Sequence, residues 1–299
     1  MTQTTVKSAM RSKLEGNTAF DYINYAFSAI LALIILYPFY NSVLISFTPQ
    51  TDYVRTPFMI FPKNFTLDSY KIVFYDQVLF AGLLNTTIIT LVGVTYNIFL
   101  TVLMAYGLNK DIPGKRFLLL AVIFTMYFNG GLIPYYLLIR DLGLMDNILS
   151  MILPSGISIA YMTVMRKYFA ALPMELEESA RIDGASEIVI LFRIILPLSI
   201  PMVVTFMLYY GVERWNEWWN GMLFVKTAMK QPLQLVLRNI IQAAIPSQVS
   251  SRYQEAGIVP FTDGVKMASI TFTIIPVMCA YPFMQKYFVQ GLAIGAVKG

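Results

Sequence analysis

The sequence predicts an all-α polytopic membrane protein with six transmembrane helices. Three observations carry that prediction. Of 299 residues, 57% are hydrophobic and only 13% charged, against roughly 25% charged in soluble domains. Mean hydropathy is +0.61. Six stretches of at least 19 residues lack Asp, Glu, Lys and Arg, and a helix crosses the hydrocarbon core with about 20 residues. A soluble globule with this little charge has too few polar groups to coat its surface.

The six stretches are 22–51, 77–109, 117–139, 147–165, 194–212 and 267–285; the next longest, 239–251, has 13 residues. They place spans at about 24–47, 82–108, 117–139, 147–165, 196–219 and 267–288. The first span is too long for a signal-peptide core, and no small-x-small cleavage site follows it. Pro38 within it is expected to kink or break the helix. Residues 1–21 form an N-terminal tail ahead of one transmembrane domain, 22–299.

Orientation follows from Lys and Arg in the short flanks. Lys7, Arg11 and Lys13 precede span one, and Lys110, Lys115 and Arg116 lie between spans two and three. Arg166, Lys167, Arg181 and Arg193 lie between spans four and five, whereas the 140–146 connection holds only Arg140 beside two Asp. The alternation puts both termini, 110–116 and 166–193 in the cytoplasm. The whole-chain tally is less clean, twelve basic residues inside against ten outside, but long outer loops cross largely regardless of charge. The net charge of +5 is met by these flanks, and no dense basic run points to nucleic acid.

Composition also removes chemistries. Without His, imidazole bases and His-ligated metals are absent. The one cysteine, Cys279, excludes an internal disulfide and reads as a buried packing residue. The charge-free spans argue against a proton relay. No G-x-x-x-x-G-K-[ST] phosphate loop exists; Gly114-Lys115 lacks the rest. Uphill transport would therefore draw its energy from another subunit through the inner face. Glu213 and Glu217, four apart, leave a pair of carboxylates on one helix face open as the seed of a membrane enzyme.

The inner loop 171–197 has the makings of that contact. Pro173 suits a first helical turn, and Glu175, Glu177 and Glu178 favour the positive N-terminus. Arg181 can pair with Glu177 or Glu178. Gly184 allows the positive φ that ends the helix, Ser186 can cap a second, and Pro197 stops that one or bends it into the membrane. The product is a short acidic helix, a Gly turn and an apolar helix leading into span five.

Glu178-Ser179-Ala180, three residues to Gly184, then nine to Ile194-x-Leu196-Pro197, resembles the E-A-A-x3-G-x9-I-x-L-P signature of ABC importer permeases. Ser179 replaces the family's Ala and is nearly as small. Ile182-Asp183-Gly184-Ala185, Gly130-Gly131-Leu132-Ile133-Pro134-Tyr135-Tyr136, Leu142-Gly143-Leu144 and the tail 291–299 are similar to the carbohydrate-uptake branch, in particular the oligosaccharide and polysaccharide permeases. The resemblance implies a type I ABC importer permease fold. It implies that 171–197 is a coupling loop seated in an ATPase cleft, with Glu178 facing a basic group. Ala180 and Gly184 would permit close approach, and Asp183 would brace the turn. The tail, with Gly295 and Lys298, would lie at the ATPase interface. The implied partners are a second permease, two ATPases that bind ATP and Mg, and an extracellular solute-binding protein. This chain itself needs no cofactor, and its other company is membrane lipid and the carbohydrate. A permease of the same type for a peptide or polyamine is the rival.

On the outer side, Tyr209, Tyr210, Trp215, Asn216, Trp218, Trp219 and Asn220 cluster at the exit of span five. Rings and amides suit a sugar path, and equally an interfacial aromatic belt. Glu213, Arg214 and Glu217 could pair with one another or face the cavity. Further on, Pro232, Leu233, Leu235, Leu237, Ile240 and Ile241 suggest an amphipathic helix that docks a partner or packs on the surface.

Overall fold

The computed structural model describes residues 19–56, 59–242 and 261–296. Every regular element among them is helical. The first, α1 (Ala19–Ser46), is long and apolar on all sides and runs through Pro38 without a break. Two short helices follow, α2 (Gln50–Arg55) and α3 (Asp68–Tyr75). Asp76 then caps α4 (Gln77–Gly107), its carboxylate accepting from Val78 N and Leu79 N at 2.9 and 3.3 Å. Capping matters here because the first N–H groups of a helix have no intrahelical partner.

α4 is the hub. It packs against α7 (Ile159–Ala170), α10 (Ile200–Trp215) and α12 (Leu233–Gln242), while α1 lies along the last helix, α13 (Thr262–Ala296). The main core joins Val102, Ala105 and Tyr106 of α4 to Met162 and Met165 of α7 and Phe206 and Tyr210 of α10. A second cluster closes the other end of α4, where Leu233 and Val236 of α12 meet Leu79 and Ala268.

Three expected spans are not straight helices. The range 117–139 folds as α5 (Lys115–Tyr127) and α6 (Leu132–Asp141), bent by 110°. Gly131 takes φ +87° there, and its N–H is held by the Asn129 side chain at 2.7 Å. The range 147–165 holds a 3-10 turn, Ile148–Met151, then an unwound stretch through Pro154-Ser155-Gly156 before α7 begins. In the fifth range, α9 (Glu187–Leu198) meets α10 at 83°. The bend falls at Ser199 rather than at Pro197. Pro197 has no N–H to donate, and the turn before it, Leu191–Ile195, widens to π geometry. Past α10, Asn216 ends the helix, so Trp218 and Trp219 belong to the next element, α11 (Trp219–Phe224).

Among the described residues, α1 and α4 are each long and apolar enough to cross a membrane, and up to four spans result if each bent pair counts as one. Cys279 is exposed rather than buried. Ahead of the 3-10 turn, Asp146 (φ 54°) staples two loops. Its carboxylate accepts from Thr227 N, Thr227 Oγ1 and Lys230 Nζ at 2.8–2.9 Å. The Lys230 ammonium, then the Thr227 amide and hydroxyl, hold that carboxyl well below the usual carboxylate range.

Candidate functional site at the two ends of the bundle

The site expected at the inner face is built on α8 (Met174–Ile182), with Pro173 just ahead of its first turn. It closes with a Schellman turn. Gly184 N donates to Arg181 O at 3.0 Å, Ala185 N to Ala180 O at 2.9 Å, and Gly184 takes φ +82°. This is the Gly-terminated acidic helix expected from the sequence. Ser186 precedes α9, but its side chain makes no cap bond.

Charge fixes the lever to the bundle. Glu177 pairs with Lys110 and with Arg181 at 3.3 Å, and Arg181 reaches Glu187 at 2.9 Å. Glu187 also accepts from the Tyr106 hydroxyl at 2.6 Å and pairs with Lys110 at 3.1 Å. Tyr106 lies in the last turn of α4 and Lys110 just past its end, so that tip of α4 is tied to both α8 and α9. The Tyr106 bond, followed by Arg181 and Lys110, pulls the Glu187 carboxyl down to about 2 against the cost of partial burial. Sequence spacing offered Glu177 or Glu178 as the partner of Arg181. The structure selects Glu177 and adds Glu187.

Glu178 is exposed and has no ion-pair partner among the described residues. Ser179, Asp183 and Gly184 are exposed with it, and Ile182 is 86% exposed. The turn is braced by backbone bonds, and no described residue bonds to the Asp183 carboxylate. Ala180 is buried in the chain's own core, and half-buried Ile194 packs against the same cluster. Pro197 is exposed at the far end of α9. A Cβ on Gly184 would meet nothing within 4 Å. Gly295 lies within α13, which stays helical to Ala296 rather than threading out as a tail; Lys298 lies outside the described residues.

At the end expected to face outward, the aromatic cluster divides. Tyr210 is buried, its hydroxyl paired with Thr101 Oγ1 at 2.8 Å and accepting from Ser158 N at 2.9 Å. Tyr209 stacks on Tyr161 with centroids 5.7 Å apart. Trp215 and Asn216 line a cleft of about 430 Å³ between α4, α10 and α13, with Thr90, Leu91, Val94 and Met207. The indole N–H of Trp215 and the Thr90 hydroxyl are buried there without a hydrogen-bond partner. Trp218 packs edge-on to Trp219 and carries the Arg238 guanidinium over its ring at 4.1 Å. The amphipathic stretch is α12, and its Leu233, Leu235 and Val236 are buried on the bundle.

Glu213 and Glu217 do not form a carboxylate pair. α10 ends between them; Glu213 accepts from Tyr161 at 2.5 Å and Glu217 from Asn220 at 3.0 Å. Arg214 pairs with neither. It is 3% exposed, inside the bundle. Sequence reasoning left it at a span end, although its spacing of four from Tyr210 and eight from Phe206 puts it on the inward face.

Residues 116–294 match the family described as binding-protein-dependent transport system inner membrane component. The chain belongs to that family. Protein LplC of Bacillus subtilis (strain 168) is 40% identical over 287 residues, covering 95% of this chain and 97% of that one. The polygalacturonan/rhamnogalacturonan transport system permease protein YtcP of the same organism is 37% identical, covering 95% and 99%. Among solved structures, a bacterial ABC transporter involved in the import of the acidic polysaccharide alginate has a chain 31% identical. It superposes with a TM-score of 0.84 over 90% of this chain and 96% of that one. The fold is thus the all-helical type I ABC permease fold, and such permeases are membrane transport components rather than enzymes.

Proposed function

We propose that this chain is one membrane subunit of an ATP-driven importer that carries a polysaccharide-derived carbohydrate by alternating access. The observation that carries the reading is the lever at the inner face. An exposed, Gly-terminated helix stands at the end of the bundle, locked to α4 by Glu177, Glu187 and Lys110, with Glu178, Ser179, Asp183 and Gly184 facing outward. A push on it reaches the end of α4 through the Glu177–Lys110 pair and α10 by way of α9. The sugar class is supported by the names of the relatives. Six crossings are proposed, by α1, α4, the α5–α6 pair, the unwound segment with α7, α10 and α13. Both termini and α8 lie in the cytoplasm.

A second permease would complete the path, two ATPases holding ATP and Mg would seat α8, and an external binding protein would deliver the solute. ATP-driven closure of the ATPases would rock the bundle as packed bodies. Vesicles test this. With the full complex, oligogalacturonide uptake should require ATP; with this chain alone, none should occur. Uptake by the chain alone would reject the reading.

A further inference from the structure

We propose that Arg214 is a positioning residue that bolts the unwound part of span four to span five, so that the two move as one body. The idea rests on the lever reading above. A guanidinium 3% exposed inside a membrane bundle is costly unless every donor is used. No carboxylate lies within ion-pair reach of it among the described residues, and the neighbouring Glu213 and Glu217 are spent on Tyr161 and Asn220. Its partners are oxygens of a different kind. Nε donates to Asn97 Oδ1 at 2.9 Å, and the two terminal nitrogens to the carbonyls of Met151, Ile152 and Ser155.

Those carbonyls belong to the stretch that leaves helical geometry ahead of α7, and unwound backbone survives at membrane depth only where protein satisfies it. Asn97 covers the Ser155 and Gly156 carbonyls, and Tyr210 accepts from Ser158 N. Arg214 and Tyr210, one turn apart on α10, thus hold both ends of the break. Gly93 makes room: a Cβ there would lie 3.0 Å from Nε of Arg214. Span five continues through the 83° bend into α9 and the lever. Displacing the lever therefore carries the break along only while the bolt holds.

Lysine would keep the charge but lose the flat fork that reaches several carbonyls at once. The test uses the co-expressed complex with its partner permease and ATPases, in a Cys279→Ser background. One spin-label pair, Leu153→Cys with Val212→Cys, spans the bolt; a second, Ile182→Cys with Ile23→Cys, reports the lever. Distances are measured without nucleotide and trapped with ATP and vanadate. The first pair should keep one narrow distance in both states while the second shifts. In Arg214→Met and Arg214→Lys the first distribution should lose its narrowness with the complex still hydrolysing ATP. A first-pair distance that changes with nucleotide in the otherwise native chain overturns the proposal, as does a narrow distribution in Arg214→Met. Should Arg214→Met fail to assemble, the native-background comparison alone decides. A lever pair that never moves refutes the coupling reading instead.

Discussion

Gly184 separates what the chain needs for itself from what a partner would need. Its φ of +82° costs any residue with a Cβ about 1–2 kcal/mol, less for Asn. No atom of the chain lies within 4 Å of a Cβ there. The size of the new side chain is therefore free within the chain, and only the backbone conformation is charged. Gly184→Ala and Gly184→Trp should lower the melting temperature of the purified chain by the same small amount, and Gly184→Asn by less. Capture of the ATPase on immobilised chain should split them. Asn and Ala should retain most of it, and Trp should abolish it. Two results would refute the reasoning: a much larger stability loss for Trp than for Ala, or undiminished capture by Gly184→Trp.

Glu187 sets a pH window. Its carboxyl is lowered from 4.5 to about 2 by the Tyr106 hydroxyl, Arg181 and Lys110. A depressed carboxyl stabilises above its unfolded value, so that contribution should fade as pH falls from 4.5 towards 2. The thermal stability of Glu187→Gln should be flatter across that window. Asp146→Ala should loosen the staple and speed proteolysis around 225–231 without changing helix content by circular dichroism. Gly221→Ala would place a Cβ 2.7 Å from Pro232 Cδ, and such overpacking costs about 1–3 kcal/mol. Its melting temperature should fall more than that of Gly107→Ala, where the same atom meets nothing.

What the sequence revealed and hid follows from the range of each signal. α1 and α4 are continuous apolar runs, and a count of uncharged residues finds them. The Gly184 turn is local, so Pro173, the acidic first turn and Gly184 announce it within a dozen positions. The break at Pro154-Ser155-Gly156 escaped because an unwound stretch satisfied by a distant guanidinium is as uncharged as a helix. Glu213 closed the charge-free stretch one residue earlier, so Arg214 read as a span-end ion while its helical register pointed inward. The Lys110–Glu177–Glu187–Tyr106 network joins positions 67 to 81 residues apart, beyond any spacing rule. The bend at Ser199 was assigned to Pro197 because proline is the usual kink, whereas a π turn absorbs the missing donor.

The central claim is that α8 is a handle gripped by a separate motor. Its most direct test is site-specific cross-linking from Ile182→Cys in a Cys279→Ser chain, in cells expressing the whole complex. Ile182 is 86% exposed on the lever. The account predicts an adduct with the cytosolic ATPase and no labelling by a membrane-impermeant maleimide added outside. Labelling from outside, or an adduct with lipid alone, would contradict it.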